Sequence, residues 1–259
     1  LLAYYIGGIN VESTFAEITG AYEPFNGIVL TDTFQMSESN DVIDLEVFKS
    51  NNARAEKQKK TDIRVIIGNP PYSIGGADAN DDAANLAYRE LDESIRQSYA
   101  RKSTAKTLKS LYDPYVRSFK WASNRLKDEG VICFVSNGGF IRTKSADGFR
   151  KSLVDEFTSI YVFDLKGDIR ANIRGGGKES ASIQGENVFG QGCTTPVAIT
   201  LLVRNSKKKR DGFIRYFEID DGLSKAKKIS RIAELHSAAR VPWTKIVPDE
   251  NGSWLDQIS

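Results

Sequence analysis

The chain of 259 residues, 40% of them hydrophobic, is long enough to bury a sizeable core in one large domain or two small ones. Its formal charge of +2 is close to balance, so bulk charge announces no polyanionic partner, and any basic surface must come from local clustering. Two distant cysteines, Cys133 and Cys193, with the single histidine His236, have no zinc-ligand spacing and fit a reducing, cytoplasmic setting with no metal; no run approaches the roughly 20 apolar residues of a membrane span, and no signal-peptide pattern is present.

The sequence opens on Leu1 rather than methionine and runs straight into apolar residues at three- and four-residue steps: Leu2, Tyr5, Ile6, Ile9, Phe15 and Ile18. That spacing predicts a helix packed against a sheet, with Gly7 and Gly8 permitting close packing. The uncapped start leads us to expect an internal piece of a longer polypeptide. A short β-branched run, Gly27 to Thr31, predicts a strand ending in Asp32-Thr33-Phe34. Residues 37–60 are polar, with Arg54, Lys57, Lys59 and Lys60 clustered at the end; a solvated face is the first reading and a nucleic-acid contact the second. Ile63 to Ile67 predicts a buried strand, which stops at Gly68-Asn69-Pro70-Pro71-Tyr72. Neither proline donates a ladder hydrogen bond, so the strand ends there in a rigid turn. Such a turn sits at a strand's C-terminal edge, where open α/β sheets bind ligands.

Asp78, Asp81 and Asp82 follow without the downstream glycine and glutamate of a calcium loop and predict a solvated helix start. Leu91, Ile95 and Tyr99 have helical spacing within residues 86–99. Asp113-Pro114 predicts an N-cap with proline at the first helical position, opening a helix to about Lys127 with Val116, Phe119 and Ala122 on its apolar face and Gly130 as its stop. The continuous apolar run Val131 to Val135 predicts a central strand covered on both faces, with Cys133 a packing residue. Ser136-Asn137-Gly138-Gly139-Phe140 is then a second loop on the same sheet edge. A helix from about Ser145 to Phe157 leads into strand Ile160 to Leu165. Residues 167–192 are glycine-rich without apolar periodicity and predict a mobile loop, and they lack the Gly-Lys-Ser/Thr of a phosphate loop. Strands follow at Pro196 to Val203 and Phe213 to Ile219, with Lys207-Lys208-Lys209-Arg210 as an exposed hairpin turn between them; a phosphate contact is the second reading for that turn. Ser224 to His236 predicts a basic helix, and the stretch through Trp243 and Trp254 predicts neither a compact cap nor a helix stop, as though the chain continued. Strands alternating with helices predict an α/β fold whose sheet is mostly parallel, with the last two strands as an antiparallel edge.

Gly68-Asn69-Pro70-Pro71-Tyr72 resembles the Asn-Pro-Pro-Tyr motif of amino-group DNA methyltransferases, the enzymes that methylate the exocyclic amine of adenine. Thr31-Asp32-Thr33-Phe34 resembles that family's cofactor-adenine motif. Leu111 to Tyr115 followed by Gly130 to Phe140 resembles its helix-then-strand segment, and Asn187-Val188-Phe189-Gly190-Gln191-Gly192 with Thr195 to Ile199 its late, pocket-closing motif. The wording is closest to the methyltransferase part of single-chain type ISP restriction–modification enzymes and covers nearly the whole chain. The resemblance implies a Rossmann-like class I methyltransferase sheet truncated on its N-terminal, cofactor-motif side. It also implies two parts: a partial catalytic domain over 1–220, and a helix and linker over 221–259 leading toward a DNA-recognition domain. The parent would carry nuclease and translocase parts as well, in a bacterial cytoplasm.

The implied reaction is transfer of a methyl group from S-adenosylmethionine to an adenine flipped out of double-stranded DNA. An aromatic amine is a poor nucleophile because its lone pair is delocalised into the ring. Acceptors that hold both N–H groups localise the pair and stabilise the developing positive charge. By the resemblance, the Asn69 side-chain oxygen and the Pro70 carbonyl are those acceptors in the turn that Pro71 completes. Tyr72 stacks on the base, Phe189 covers its other face, Asp32 accepts from the cofactor's adenine amino group, and Phe34 lies beside that ring. Read alone, Asp32 is a turn or cap residue and Phe189 a core or loop aromatic. The family's glycine-rich loop and ribose-binding acid have no counterpart in these residues, so S-adenosylmethionine binding is expected to be weak and the isolated chain inactive. Methylation of RNA or of a protein glutamine, or a catalytically inactive nucleic-acid-binding fragment, are the alternative readings.

Overall fold

The computed structural model of the chain describes residues 2–38, 49–71, 88–169, 183–190 and 192–255. The chain divides into two units, Leu1–Asp62 and Ile63–Ser259.

In the first unit, helix α1 spans Leu2–Thr19 as its periodicity predicts, but none of its residues is buried, and Leu2 and Ile18 are 74% and 79% exposed. The expected packing against a sheet is absent here, because the described residues of this unit contain no strand. Gly7 does allow a close approach, to the Ile28 side chain, while nothing lies near Gly8. The strand expected at Gly27 to Thr31 is not formed. Its backbone is instead met by side-chain amides from α2 (Lys49–Lys60): Asn51 accepts from Leu30 N at 2.7 Å and donates to Leu30 O at 2.8 Å, and Gln58 donates to the Gly27 carbonyl. An extended run needs a neighbour to become a strand, and here asparagine and glutamine satisfy the groups a neighbouring strand would pair.

The second unit is built on a six-stranded sheet of β1 (Ile63–Gly68), β2 (Leu126–Asn137), β3 (Ser159–Asp164), β4 (Val197–Asn205), β5 (Ile214–Glu218) and β6 (Thr244–Ile246), in the order β1-β2-β4-β3-β5-β6. β1, β2, β3 and β5 point the same way, so the parallel direction predominates as expected. The antiparallel strands are placed differently from the expectation. β4 runs antiparallel inside the sheet between β2 and β3, and the antiparallel edge is the short β6. The basic stretch Lys207 to Arg210 is exposed, but it closes no hairpin, because β3 lies between β4 and β5. Among the described residues β1 pairs only with β2, and it is not buried: Val65 and Ile67 are 60% and 78% exposed. β2 alternates, with Ile132, Phe134 and Ser136 buried while Val131, Cys133 and Val135 are half-buried, so one face is covered fully and the other in part.

Three helices cover the buried face. α3 (Arg89–Ile95) continues through a π-helical turn to Ala100 and buries Leu91, Ile95 and Tyr99. α4 (Pro114–Arg125) starts where expected, with Asp113 accepting from Tyr115 N, but ends before Gly130, because Leu126 already pairs with Ile63. α5 (Asp147–Glu156) crosses beside them, and α6 (Lys225–Leu235) is capped by Ser224. Phe119 meets Phe134 and Phe149 at centroid separations of 5.1 and 5.3 Å, edge-on or tilted as ring quadrupoles prefer. Trp254, 4% exposed, reaches Phe140 in the same core. Arg204 of β4 closes two helix ends at once, donating to the carbonyls of Ser123 in the last turn of α4, of Leu126 just after it and of Glu156 at the end of α5. No helix among the described residues is long and apolar enough to cross a membrane.

Candidate active site

β1 and β2 run parallel with Gly68 opposite Phe134, so their C-terminal ends deliver the Asn69 turn and the Asn137 loop to one edge of the sheet. At the first, Asn69 is exposed, Pro70 is buried and Pro71 is exposed. The ladder stops because the prolines offer no N–H, and burial of Pro70 anchors the turn beside the exposed Asn69. Tyr72, the fourth residue of the motif, and the aspartates at 78, 81 and 82 lie outside the described residues.

At the second loop Asn137 Oδ1 accepts from Gly139 N at 2.8 Å, and Gly138 N donates to the Pro196 carbonyl at 2.8 Å. Gly138 lies so close to β4 that a Cβ there would come within 3.2–3.3 Å of Val197 and Ala198, which is why the loop needs glycine. The late motif is tied to the same place. Asn187, 2% exposed, donates from Nδ2 to the carbonyls of Thr195 at 2.8 Å and Gly167 at 3.1 Å, and its Oδ1 accepts from Phe189 N at 2.9 Å. Residues 183–190 are therefore pinned by a buried amide, contrary to the mobile loop expected there; 170–182 and 191 lie outside the described residues. The Phe189 ring is 44% exposed at this edge.

Of the residues singled out from the sequence, Asn69, Pro70 and Pro71 thus share a sheet edge with the loops carrying Asn137 and Phe189. Asp32 and Phe34 belong to the first unit. There Asp32 Oδ1 accepts from Phe34 N at 2.9 Å and Gln35 N at 3.4 Å, capping a 3-10 turn over Gln35–Ser37, with Asp32 exposed and Phe34 half-buried. Cys133 is half-buried, and burial pushes its thiol up, the opposite of an activated nucleophile.

Further along the edge lies a network the sequence did not announce. Asp164, at the end of β3, accepts from Arg142 and from the Tyr216 hydroxyl at 3.0 Å, and Arg142 also donates to Tyr216 at 2.9 Å and Glu218 at 3.3 Å. Burial and the facing Asp164 push the Tyr216 hydroxyl far up, and although burial opposes the charge on Arg142, Asp164 and Tyr216 more than offset it. Tyr216 is thereby held neutral and Arg142 charged, and the network ties the ends of β3 and β5 to the Arg142 loop. No sequence pattern marks them, because they meet only through the sheet order. Among the described residues no cluster of three or more histidine, cysteine or carboxylate side chains has the makings of a metal site.

Residues 13–170 match the family model described as Eco57I restriction-modification methylase. Among solved structures, the chain aligns over its full length with the type ISP restriction-modification enzyme LlaGI, studied as a nuclease-deletion mutant in complex with a DNA substrate mimic, at 43% identity and TM-score 0.90. It aligns equally with the ATP-dependent type ISP enzyme LlaBIII bound to DNA, at 39% identity and TM-score 0.90, and with DrdV in a DNA complex at 36% and 0.85. The chain spans 21%, 17% and 24% of those three proteins. No curated protein matches it significantly. On the family match over most of its length, carried by the segment that holds the Asn69 turn and the Asn137 loop, the chain belongs to the Eco57I restriction-modification methylase family.

Proposed function

We propose that the chain is the catalytic segment of a site-specific DNA adenine-N6 methyltransferase within a restriction–modification enzyme, acting on an adenine flipped out of double-stranded DNA. The observation that carries this reading is the placement of Asn69-Pro70-Pro71 at the C-terminal end of β1, beside the Asn137 loop and inside the region the methylase family matches. The DNA-bound state of the three related enzymes supports the choice of DNA over RNA or a protein glutamine.

Asn69, exposed above a buried Pro70, offers its amide oxygen to one amine N–H, and the Pro70 carbonyl accepts the other. Phe189 provides an exposed ring for the base, and Tyr72 the opposing one. When bound, S-adenosylmethionine supplies a methyl group on a sulfonium, so no strong base is needed, and in-line positioning carries most of the rate. The exposed Asp32 carboxylate and the neighbouring Phe34 ring fit the adenine end of that cofactor, with Asp32 accepting from its amino group and Phe34 lying along its face. The described residues of the first unit hold no strand–glycine loop–helix to receive its remainder, so these 259 residues are expected to bind it weakly. Calorimetric titration giving sub-micromolar affinity would refute that expectation.

The decisive experiment uses the longer parent enzyme with tritiated S-adenosylmethionine on duplex DNA, RNA and protein. Label should enter adenine in DNA; label in RNA or protein alone sinks the reading. Asn69→Ala should lower transfer by about 10²–10³-fold with an unchanged circular dichroism spectrum, and retained activity removes Asn69 from the site.

A further inference from the structure

Beside the candidate site, a cleft of about 520 Å³ is bounded by residues 104–107, by Lys144 and Ser145 in the 3-10 turn before α5, and by Asn251 and Ser253. Its lining is rich in hydrogen-bond donors and cations. Lys106 and Lys144 are exposed and make no ion pair among the described residues, and Thr107 and Ser145 contribute hydroxyls, those of Thr104 and Ser253 being engaged with Asp147 and Asp249. The wall behind them is Arg150, which is 0% exposed. Its Nη1 donates to the carbonyls of Phe140 and Thr143, both at 2.7 Å, and its Nε to Gly252 at 2.8 Å. Its Nη2 has no acceptor among the described residues. A fully buried guanidinium with an unanswered N–H pair is costly, and because Nη2 is itself shielded from solvent, Arg150 lends the cleft its charge from behind the lining.

Asp147 is the one carboxylate on the lining, and its charge is already answered. It accepts from Ser103 Oγ, Thr104 N, Thr104 Oγ1 and Gly148 N. Although burial opposes ionisation there, these donors hold the carboxyl below the usual carboxylate range. Two exposed ammonium groups, with the Arg150 charge behind them, therefore meet one satisfied anion across the cleft. Lysine and arginine with several O–H donors suit a group bearing many acceptor oxygens and negative charge.

We propose that this cleft binds a phosphate group. The segment from Asn137 to Lys144 joins it to the candidate site, and Arg150 grips that segment by two carbonyls, so the two sites share one support. A backbone phosphate of DNA is one source, which rests on the methyl-transfer reading; a free phosphate or phosphate ester is the other, and the cleft itself needs neither assumption.

The test compares the chain with its Lys106→Gln/Lys144→Gln variant, whose changes are at exposed positions that leave Arg150 and the core intact. Inorganic phosphate is titrated and followed by phosphorus NMR line width, and a short labelled duplex is titrated by fluorescence anisotropy across a salt series. Broadening of the phosphate signal by the chain, lost in the variant, supports the cleft. A fall of about one to two in the slope of log affinity against log salt for the duplex further assigns the source to the DNA backbone. An unchanged duplex slope with phosphate binding lost assigns the source to free phosphate. If neither probe distinguishes chain from variant, the proposal is overturned. Methyl transfer by the parent is read separately by label, so failure of the cleft and failure of the methyl-transfer reading are told apart.

Discussion

Replacing Lys228 tests whether a buried ammonium is held in the fold at a cost. Lys228 is 0% exposed on α6, and its Nζ donates to the carbonyls of Leu165 at 2.7 Å and Gln184 at 2.9 Å. Burial pushes its pKa down from 10.5 to about 8; Asp164 and Glu186 oppose the shift and Lys166 adds to it. At about 1.36 kcal/mol per pH unit, that difference means the folded chain disfavours the charged form by about 3 kcal/mol. Below pH 8 both folded and unfolded chains carry the proton and the contribution is flat. Between pH 8 and 10.5 the unfolded chain keeps a proton that the folded chain has released, so stability rises with pH. From pH 7 to 9.5 the gain should be about 2 kcal/mol. Lys228→Met removes the titration and leaves two carbonyls without their donor, at about 1–3 kcal/mol each. At pH 7 that loss is of the same size as the relief from the buried charge, whereas at pH 9.5 the relief has shrunk to about 1 kcal/mol and the loss dominates. Urea unfolding of both proteins at pH 7, 8, 9 and 9.5, followed by tryptophan fluorescence, reads the difference. Cys133 and the buried tyrosines also titrate in the alkaline range, in the opposite sense, but they do so in both proteins and cancel. Stabilities that run parallel across this range would mean Lys228 is not held against its charge.

Three other substitutions have magnitudes set by their surroundings. Gly148→Ala would place a Cβ 2.0 Å from the Tyr99 carbonyl and 2.7 Å from Ser103 N, backbone on both sides, and should cost more than about 3 kcal/mol or prevent folding, read from urea unfolding. Asn187→Ala strips the partners from Gly167 O, Thr195 O and Phe189 N and should cost about 2–4 kcal/mol, with faster amide exchange over residues 187–190; unchanged exchange would mean the amide does not pin the loop. Asp113→Ala removes the cap of α4 and should lower stability by about 1 kcal/mol without altering the circular dichroism of the folded state.

Local signals in the sequence located most elements, because caps and spacing act through neighbouring residues. Asp113-Pro114 marked the start of α4, and Leu91, Ile95 and Tyr99 marked a face that is buried. The methyl-transfer motif was legible for a similar reason: two prolines after an apolar run end a strand wherever that strand lies. What failed was pairing. The apolar runs at 197–205 and 214–218 look like consecutive hairpin strands, yet β3 enters between them, since a strand's own residues specify which faces are apolar and not which strand lies beside it. The run at 27–31 failed in the same way: no neighbour pairs with it among the described residues, and the Asn51 amide takes that place.

Buried charges were the other blind spot, and here a signal was present. Lys228, Ile232 and Leu235 lie at i, i+4 and i+7, which places the lysine on the inward face of a helix whose basic composition suggests solvent all round. The same spacing logic does not reach Arg150 or Arg204, whose acceptors are backbone carbonyls far along the chain: Gly252 for the first, Ser123 and Leu126 for the second. Their role is a property of assembled helix ends, and composition alone assigns them to the surface. Of these buried cations, Arg204 ends on three carbonyls and the Ser123 hydroxyl and Lys228 on two carbonyls, whereas Arg150 keeps one nitrogen unanswered beside an open, cationic cleft. That difference separates a cation whose donors the fold itself answers from one whose charge packing alone leaves incompletely met.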